Sequence, residues 1–342
     1  MSPQRKFRLA RTGVILVVLI ILIAKCAGSD PPAKSAGSNT PRTTTPTKPA
    51  TALTVTAALL PDKLPAAHYG TAAVTVGGKV IMPGGLDAKR VSSLVVWQFD
   101  PTSSKTVNIG KLPSAAHDGA VAAIGDTVWL LGGGKGSTAL TTTVSIDTAG
   151  KTANAGKLPA ARVDAAAATA ADGASIYVVG GYDGKDNVTG TNEVLQTTDG
   201  VTFKVVATLA QSVRRPAVVL LEHSIYVIGG LWGANGAPIS SIQRVDLDTG
   251  KASVAGQLPQ AISGASAVVL KGSIFVAGGR TTDGRSDQIL RIDPVSAATS
   301  VAGRLPAKSS DAMSAVVGDT AYLLGGLTPD VTDSIVTLTV NK

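Results

Sequence analysis

Six glycine pairs punctuate the chain at near-constant intervals. They are Gly84-Gly85, Gly132-Gly133, Gly180-Gly181, Gly229-Gly230, Gly278-Gly279 and Gly325-Gly326, with steps of 48, 48, 49, 49 and 47 residues. A second mark leads each pair. Leu64-Pro65, Leu112-Pro113, Leu258-Pro259 and Leu305-Pro306 stand 20 residues before their glycines, and Leu158-Pro159 stands 22 before. Leu209 keeps the spacing of 20, with Ala210 in the place of the proline. Each period reads as four short strands. In the second, residues 118–124 are small and apolar, and Gly125-Asp126 is a two-residue hairpin turn. Residues 127–131 end on the glycine pair, and 143–146 form a third strand. Asp147 and Gly150 supply turn chemistry before a fourth strand that runs toward Leu158-Pro159. A period near 50 with four strands per unit is the signature of a β-propeller. The expected fold is all-β, with six blades of four antiparallel strands.

Closure follows from strand counting. After Gly325-Gly326 only one strand remains, about residues 334–340, so the sixth blade lacks its outer strand. Residues 53–60 alternate as a strand does and have no blade of their own. They are expected to complete blade six, which leaves no seam with unpaired edges. Loops between strands two and three share one rim, the top, with the segments that lead from unit to unit. Both hairpin turns and the start of the closing strand fall on the bottom rim. The glycine pairs suit backbone that needs positive φ or is approached closely by a neighbour.

The leading Leu-Pro, the hydrophobic hairpin, the "LLGG" or "VIGG" at the end of strand two and the polar loop after it resemble the Kelch repeat. The likeness covers residues 53–341. Kelch units usually carry a Tyr before the glycines and a Trp in strand four. Here Tyr177, Tyr226 and Tyr322 fit the first position, and no Trp fits the second. With 4% aromatics, contacts between blades must rest on Val, Leu, Ile and Ala.

The formal charge of +8 is concentrated before the repeats. Residues 1–50 hold eight Lys or Arg against Asp30, and the rest is nearly balanced at 23 basic and 22 acidic residues. No nucleic-acid footprint is present. A basic stretch from Arg5 to Arg11 precedes an apolar run from Gly13 to Ala24, as in an export signal. Residues 1–28 are expected to be that signal or an N-terminal membrane anchor, with the bulk of the chain exported. Cys-Ala-Gly-Ser-Asp from Cys26 resembles the start of a bacterial lipoprotein, although Lys25 stands where that motif has a small residue. Cys26 is the only cysteine, so an intramolecular disulfide is excluded. Residues 29–52 are rich in Pro, Thr, Ser and Ala and are expected to form a disordered tether.

Residues entering the innermost strands are expected at the top mouth of the axial channel: His68, Tyr69, His117, Asp118, Arg162, Asp164, Arg214, Arg215 and Asp311. Tyr182, Trp232 and Arg280 join them from the loops. Mixed polar groups at a concave mouth form a ligand site by default, or else hydrogen-bond one blade to the next. Trp232 either stacks on a ligand or packs onto the rim. His223 falls in a bottom turn. The acidic loops at 183–187 and 283–287 lack EF-hand spacing and read as solvated turns, so no metal is assigned. Residues 197–203 look like one degenerate Asp-box hairpin and report a turn.

Two functions are expected to compete. One is an exported binding or scaffolding module, without cofactor, that engages a protein or carbohydrate through its top loops and is monomeric. The other is a sugar-active enzyme, because exported Kelch propellers include sugar oxidases and sialic-acid mutarotases. The resemblance to galactose-type copper oxidases stops at Cys26, which lies outside the ring. A sialidase needs three clamping arginines and a Tyr, for which Arg162, Arg214, Arg215 and Tyr69 are the candidates. A mutarotase needs an acid and a base, as Asp118 with His117 or Arg214 would supply.

Overall fold

The computed structural model of the chain describes residues 53–185, 190–233 and 235–341. The leader, Cys26, the tether and the loop residues Asp186 and Asn187 lie outside the described residues. Six antiparallel sheets surround one axis, the first five running from an innermost to an outermost strand in chain order. The innermost strands are Val74–Val76, Ala120–Ile124, Val163–Thr169, Ala217–Leu221, Ser266–Leu270 and Met313–Val317. Each touches the innermost strand of both neighbours, so the ring is closed. Alanine recurs on these strands, where six backbones converge on the axis, alongside Val, Leu and Met. In blades four and five a short extra strand, Leu231–Trp232 or Arg280–Thr281, extends the sheet at the top.

One crossing explains both sequence marks. After its outer strand, each blade sends the chain back over its own top toward the next innermost strand. This return segment passes against the glycine pair. A methyl group on Gly84, Gly132, Gly180, Gly229, Gly278 or Gly325 would collide with the carbonyl oxygen of Ala116, Arg162, Val213, Ile262, Ser309 or His68, respectively. The first glycine of each pair has φ between +58° and +68°, and the second between +87° and +108°. Side chains are therefore excluded twice, by backbone angle and by contact. The second glycine then donates to the same carbonyl, as from Gly85 to Ala116 at 2.8 Å and from Gly326 to His68 at 2.8 Å. The leucine of the Leu-Pro mark rides on this return segment. It is buried in all six units, and Leu112, Leu158 and Leu305 pack on Gly84, Gly132 and Gly278. Where Ala210 replaces the proline, Leu209 is still buried, in the cluster between blades three and four.

The apolar core is divided. Among the described residues, six buried clusters each join two neighbouring blades. Val, Leu, Ile and Ala dominate, with Phe99, Phe275 and Trp129 as larger members. Turns repeat too: the carboxylates of Asp100, Asp147, Asp246 and Asp293 accept backbone N–H groups two residues on, which fixes the turn between strands three and four. Asp199 does the same work in blade three, so the Asp-box-like stretch is a turn.

Thr54–Leu59 is the outer strand of blade six. It pairs antiparallel with Ile335–Asn341, from Thr54 opposite Asn341 to Leu59 opposite Val336. Val55 enters the cluster between blades five and six. Leu60 and Leu64 continue the seam with backbone bonds to Ile335 and Asp333, both at 2.8 Å. The last sheet is thus built from both ends of the repeat array.

Asparagine tolerates positive φ, so it separates backbone angle from collision. Gly132→Asn is expected to lose about 1–3 kcal/mol to overpacking. Gly318→Asn, at a φ of +59° with open space beside it, should shift the melting temperature little. Equal shifts in calorimetry would refute the crossing as the reason for the glycines. Deleting residues 53–60 should destabilise the protein more than either substitution, since it bares an edge and removes Val55 from the core.

Candidate functional site

One residue per blade, at the entry to the innermost strand, sits in the left-handed region. These are Gly70, Asp118, Asp164, Arg215, Gly264 and Asp311, with φ between +50° and +65°. Their backbones join in a belt around the mouth. Asp118 N–H donates to Gly70 O (2.6 Å), Asp164 to Asp118 (2.8 Å) and Arg215 to Asp164 (2.8 Å). Gly264 then donates to Arg215 (3.2 Å) and Asp311 to Gly264 (2.7 Å). Asp tolerates this conformation through its short polar side chain, whereas Arg is rare there. Arg215 is held by what surrounds it.

Its guanidinium spans the mouth. Nε donates to Asp164 Oδ1 at 2.8 Å and Nη2 to Asp118 Oδ2 at 3.2 Å, while Nη1 faces Asp311 Oδ1 at 3.5 Å. Asp311 is also steadied by Ser310 Oγ (2.7 Å), which accepts from Arg285 Nε (3.0 Å). The axial cavity, about 200 Å³, is lined by the four charged side chains of this clamp and by residues of, or leading into, all six innermost strands. Burial pushes Asp118 up to about 7; Arg215 opposes that rise, and the carboxylates of Asp164 and Asp311 add to it. Burial alone would lower Arg215, but the three carboxylates outweigh it and hold the guanidinium above its ordinary value.

A second, outer pocket of about 320 Å³ opens on the top between blades two, three and four. His117, Asp118, Asp164, Tyr182, Arg214 and Arg215 line it. Arg214 lies over the Tyr182 ring, 5.1 Å from its centroid, and its Nη1 is 3.7 Å from Asp164 Oδ2. His117 Nδ1 is bonded to Ser92 Oγ at 2.9 Å, and Nε2 stands 3.9 Å from Asp118 Oδ2. Burial lowers the pKa of His117.

The residues expected at the mouth thus separate into groups. Asp118, Asp164, Arg215 and Asp311 converge on the axis, and His117, Arg214 and Tyr182 line the adjoining pocket. Tyr69 is buried beside them, with its phenol pKa raised by that burial. His68 and Arg162 turn away. Each sets its backbone carbonyl on the glycine pair of one blade and its side chain on a glycine carbonyl of the next. His68 contacts Gly84 O; Arg162 Nη1 donates to Gly180 O at 3.0 Å and Nη2 to Glu193 at 2.6 Å. They are rivets between blades, and Arg162 shares no acceptor with Arg214 or Arg215. Trp232 is 48% exposed on the rim. Arg280 is exposed, with its backbone bonded to Ser263. His223 is exposed in its bottom turn against Asp248. Ser92 and the two glycines of the belt, Gly70 and Gly264, were not singled out by sequence. Their position relative to the glycine pairs is the signal that would have found them.

Among the described residues no group of His, Cys, Asp or Glu is placed to hold a metal ion, and a guanidinium occupies the space between the three carboxylates. Neither a family model nor a curated protein matches the chain. Geometry defines it as a six-bladed β-propeller with a salt-bridged axial mouth.

Removing the clamp should leave three carboxylates facing one another. Arg215→Met is expected to cost about 3 kcal/mol, the low end for a broken buried pair because Arg215 is partly exposed. Asp118 has its folded pKa raised, so the folded state holds a proton that the unfolded state gives up between the ordinary carboxylate range and about 7. Stability therefore falls as pH rises through that window, and more steeply without Arg215. Denaturant titrations at pH 5 and pH 8 check this; an identical penalty at both would refute the clamp.

Proposed function

We propose that the chain is an exported, Kelch-type propeller that binds a protein or a glycan through its top-face loops, carried away from a membrane by its N-terminal segment. The observation that supports this reading is the clamped mouth: Arg215 and its carboxylates are spent on one another at the entrance of the axial cavity. Loops that differ from blade to blade stand on the same rim. Strand direction places Thr54 on the opposite rim, so a tether leaving from there would present the top face outward. Propellers commonly serve as rigid binding scaffolds, an analogy of fold.

One observation favours a second reading, acid–base work on a sugar of the mutarotase type. His117 and Asp118 stand side by side in a pocket, one with its pKa lowered by burial and the other pushed up to about 7. Anomer exchange of reducing sugars, followed by NMR, separates the two. Binding without acceleration is expected, and acceleration abolished by Asp118→Asn would establish the enzyme instead.

The binding reading is tested with the full-length protein on glycan arrays and against a panel of purified exported proteins. A ligand found there should lose about tenfold or more in affinity with the top-rim double change Trp232→Ala and Arg280→Ala. His223→Ala on the bottom rim should leave affinity unchanged. The reverse pattern would sink the reading.

A further inference from the structure

The outer pocket between blades two, three and four has a bonding pattern that narrows what it takes. Its two nitrogen donors are fixed in place with acceptors just out of reach. Ser92 Oγ lies 2.9 Å from His117 Nδ1 and 3.4 Å from Gly136 N, and because the Asp118 carboxylate stands on the far side of the ring we assign the tautomer in which Ser92 donates to Nδ1. The His117 ring proton is then on Nε2, which stands 3.9 Å from Asp118 Oδ2, beyond hydrogen-bond range. Arg214 repeats the situation. Its Nη1 is 3.7 Å from Asp164 Oδ2, and its Nε is buried without an acceptor among the described residues. The guanidinium is packed on two sides. It is held between the Tyr182 ring and Gly236, and Arg214 and Leu231 exchange backbone bonds at 3.1 and 2.7 Å.

Two donor–carboxylate pairs, each slightly too wide to bond directly, therefore face one pocket. An anion seated there would accept from Arg214 and His117 but meet Asp118 and Asp164 at close range. A cation would meet Arg214 and Arg215. A hydroxyl satisfies both members of each pair, because it accepts from the nitrogen and donates to the carboxylate. The pocket's volume of about 320 Å³ lies at the small end of ligand sites. The loop that confines Arg214 also carries Trp232, whose indole is half exposed on the adjoining rim, an apolar face of the kind on which a ring bearing hydroxyls can stack.

From these observations we infer that the pocket lined by His117, Asp118, Asp164, Tyr182 and Arg214 is a seat for a neutral saccharide, with Trp232 as an outer contact. The inference rests on the binding reading above and narrows its ligand to an uncharged polyol ring.

Calorimetric titration of the full-length protein with methyl glucoside, galactoside and mannoside and their neutral oligosaccharides tests it, with glucuronate as the acidic arm. At least one neutral sugar should bind. Arg214→Met, and independently Ser137→Trp, which fills the pocket from an exposed loop, should each weaken binding about tenfold or more. Trp232→Ala should weaken it less, and thermal melts would confirm that each variant is folded. The seat is overturned if no neutral sugar binds, if glucuronate is preferred, or if Ser137→Trp binds as the parent does. A ligand lost on changing Trp232 and Arg280 but indifferent to Ser137→Trp overturns the seat alone. A ligand indifferent to every top-rim change overturns the binding reading with it.

Discussion

Backbone passing over backbone at the top of every blade is the contact on which the ring depends. A chain that makes four strands and then returns to the axis must cross its own sheet, and the crossing is tight enough that only hydrogen fits beneath it. The carbonyl that excludes a side chain from the first glycine also receives the N–H of the second. One geometric demand thus supplies both the steric exclusion and the compensating bond. It also places the next residues: two positions after the crossing carbonyl, the chain turns through a left-handed residue into the next innermost strand. Ala116 leads to Asp118, Arg162 to Asp164, Val213 to Arg215 and Ser309 to Asp311.

The site is therefore a product of the fold's repetition. Because every blade delivers its left-handed residue at the same height and radius, four side chains from four different blades meet at the axis although the sequence separates them by dozens of residues. Arg215 is the central charge of that meeting, and its three carboxylate partners explain how a cation and its counter-charges remain in a mostly buried place. Alanine and glycine recur around the axial cavity because six strands converge there, and its charged lining is the clamp itself, Asp118, Asp164, Arg215 and Asp311. Beside the clamp, at the top of blades two to four, His117 and Arg214 stand 3.9 and 3.7 Å from the outer oxygens of Asp118 and Asp164.

Repetition also sets how stability is distributed. The apolar core is split into six interfaces rather than gathered at one centre, so each blade relies on both neighbours. His68 and Arg162 add polar rivets at two of these interfaces, where the other four blades carry Ala116, Val213, Ile262 and Ser309 at the same position. Read along the chain, the two resemble active-site residues. Only their burial and partners reveal that they join blades.

Blade number, strand order, turn positions and the pairing of Thr54–Leu59 with the final strand were all legible in the amino-acid order, because a repeat forces the same backbone solution at a fixed interval. Tight turns and close crossings leave glycine, aspartate and proline where no other residue fits as well. What a side chain does once it arrives is another matter. His68 and His117, or Arg162 and Arg215, enter equivalent strands and look alike as text. Their rotations about a common axis decide which faces solvent, which faces a charge and which is sealed between sheets. Those differences arise from neighbours far away in sequence, and only the closed ring brings them within bonding distance.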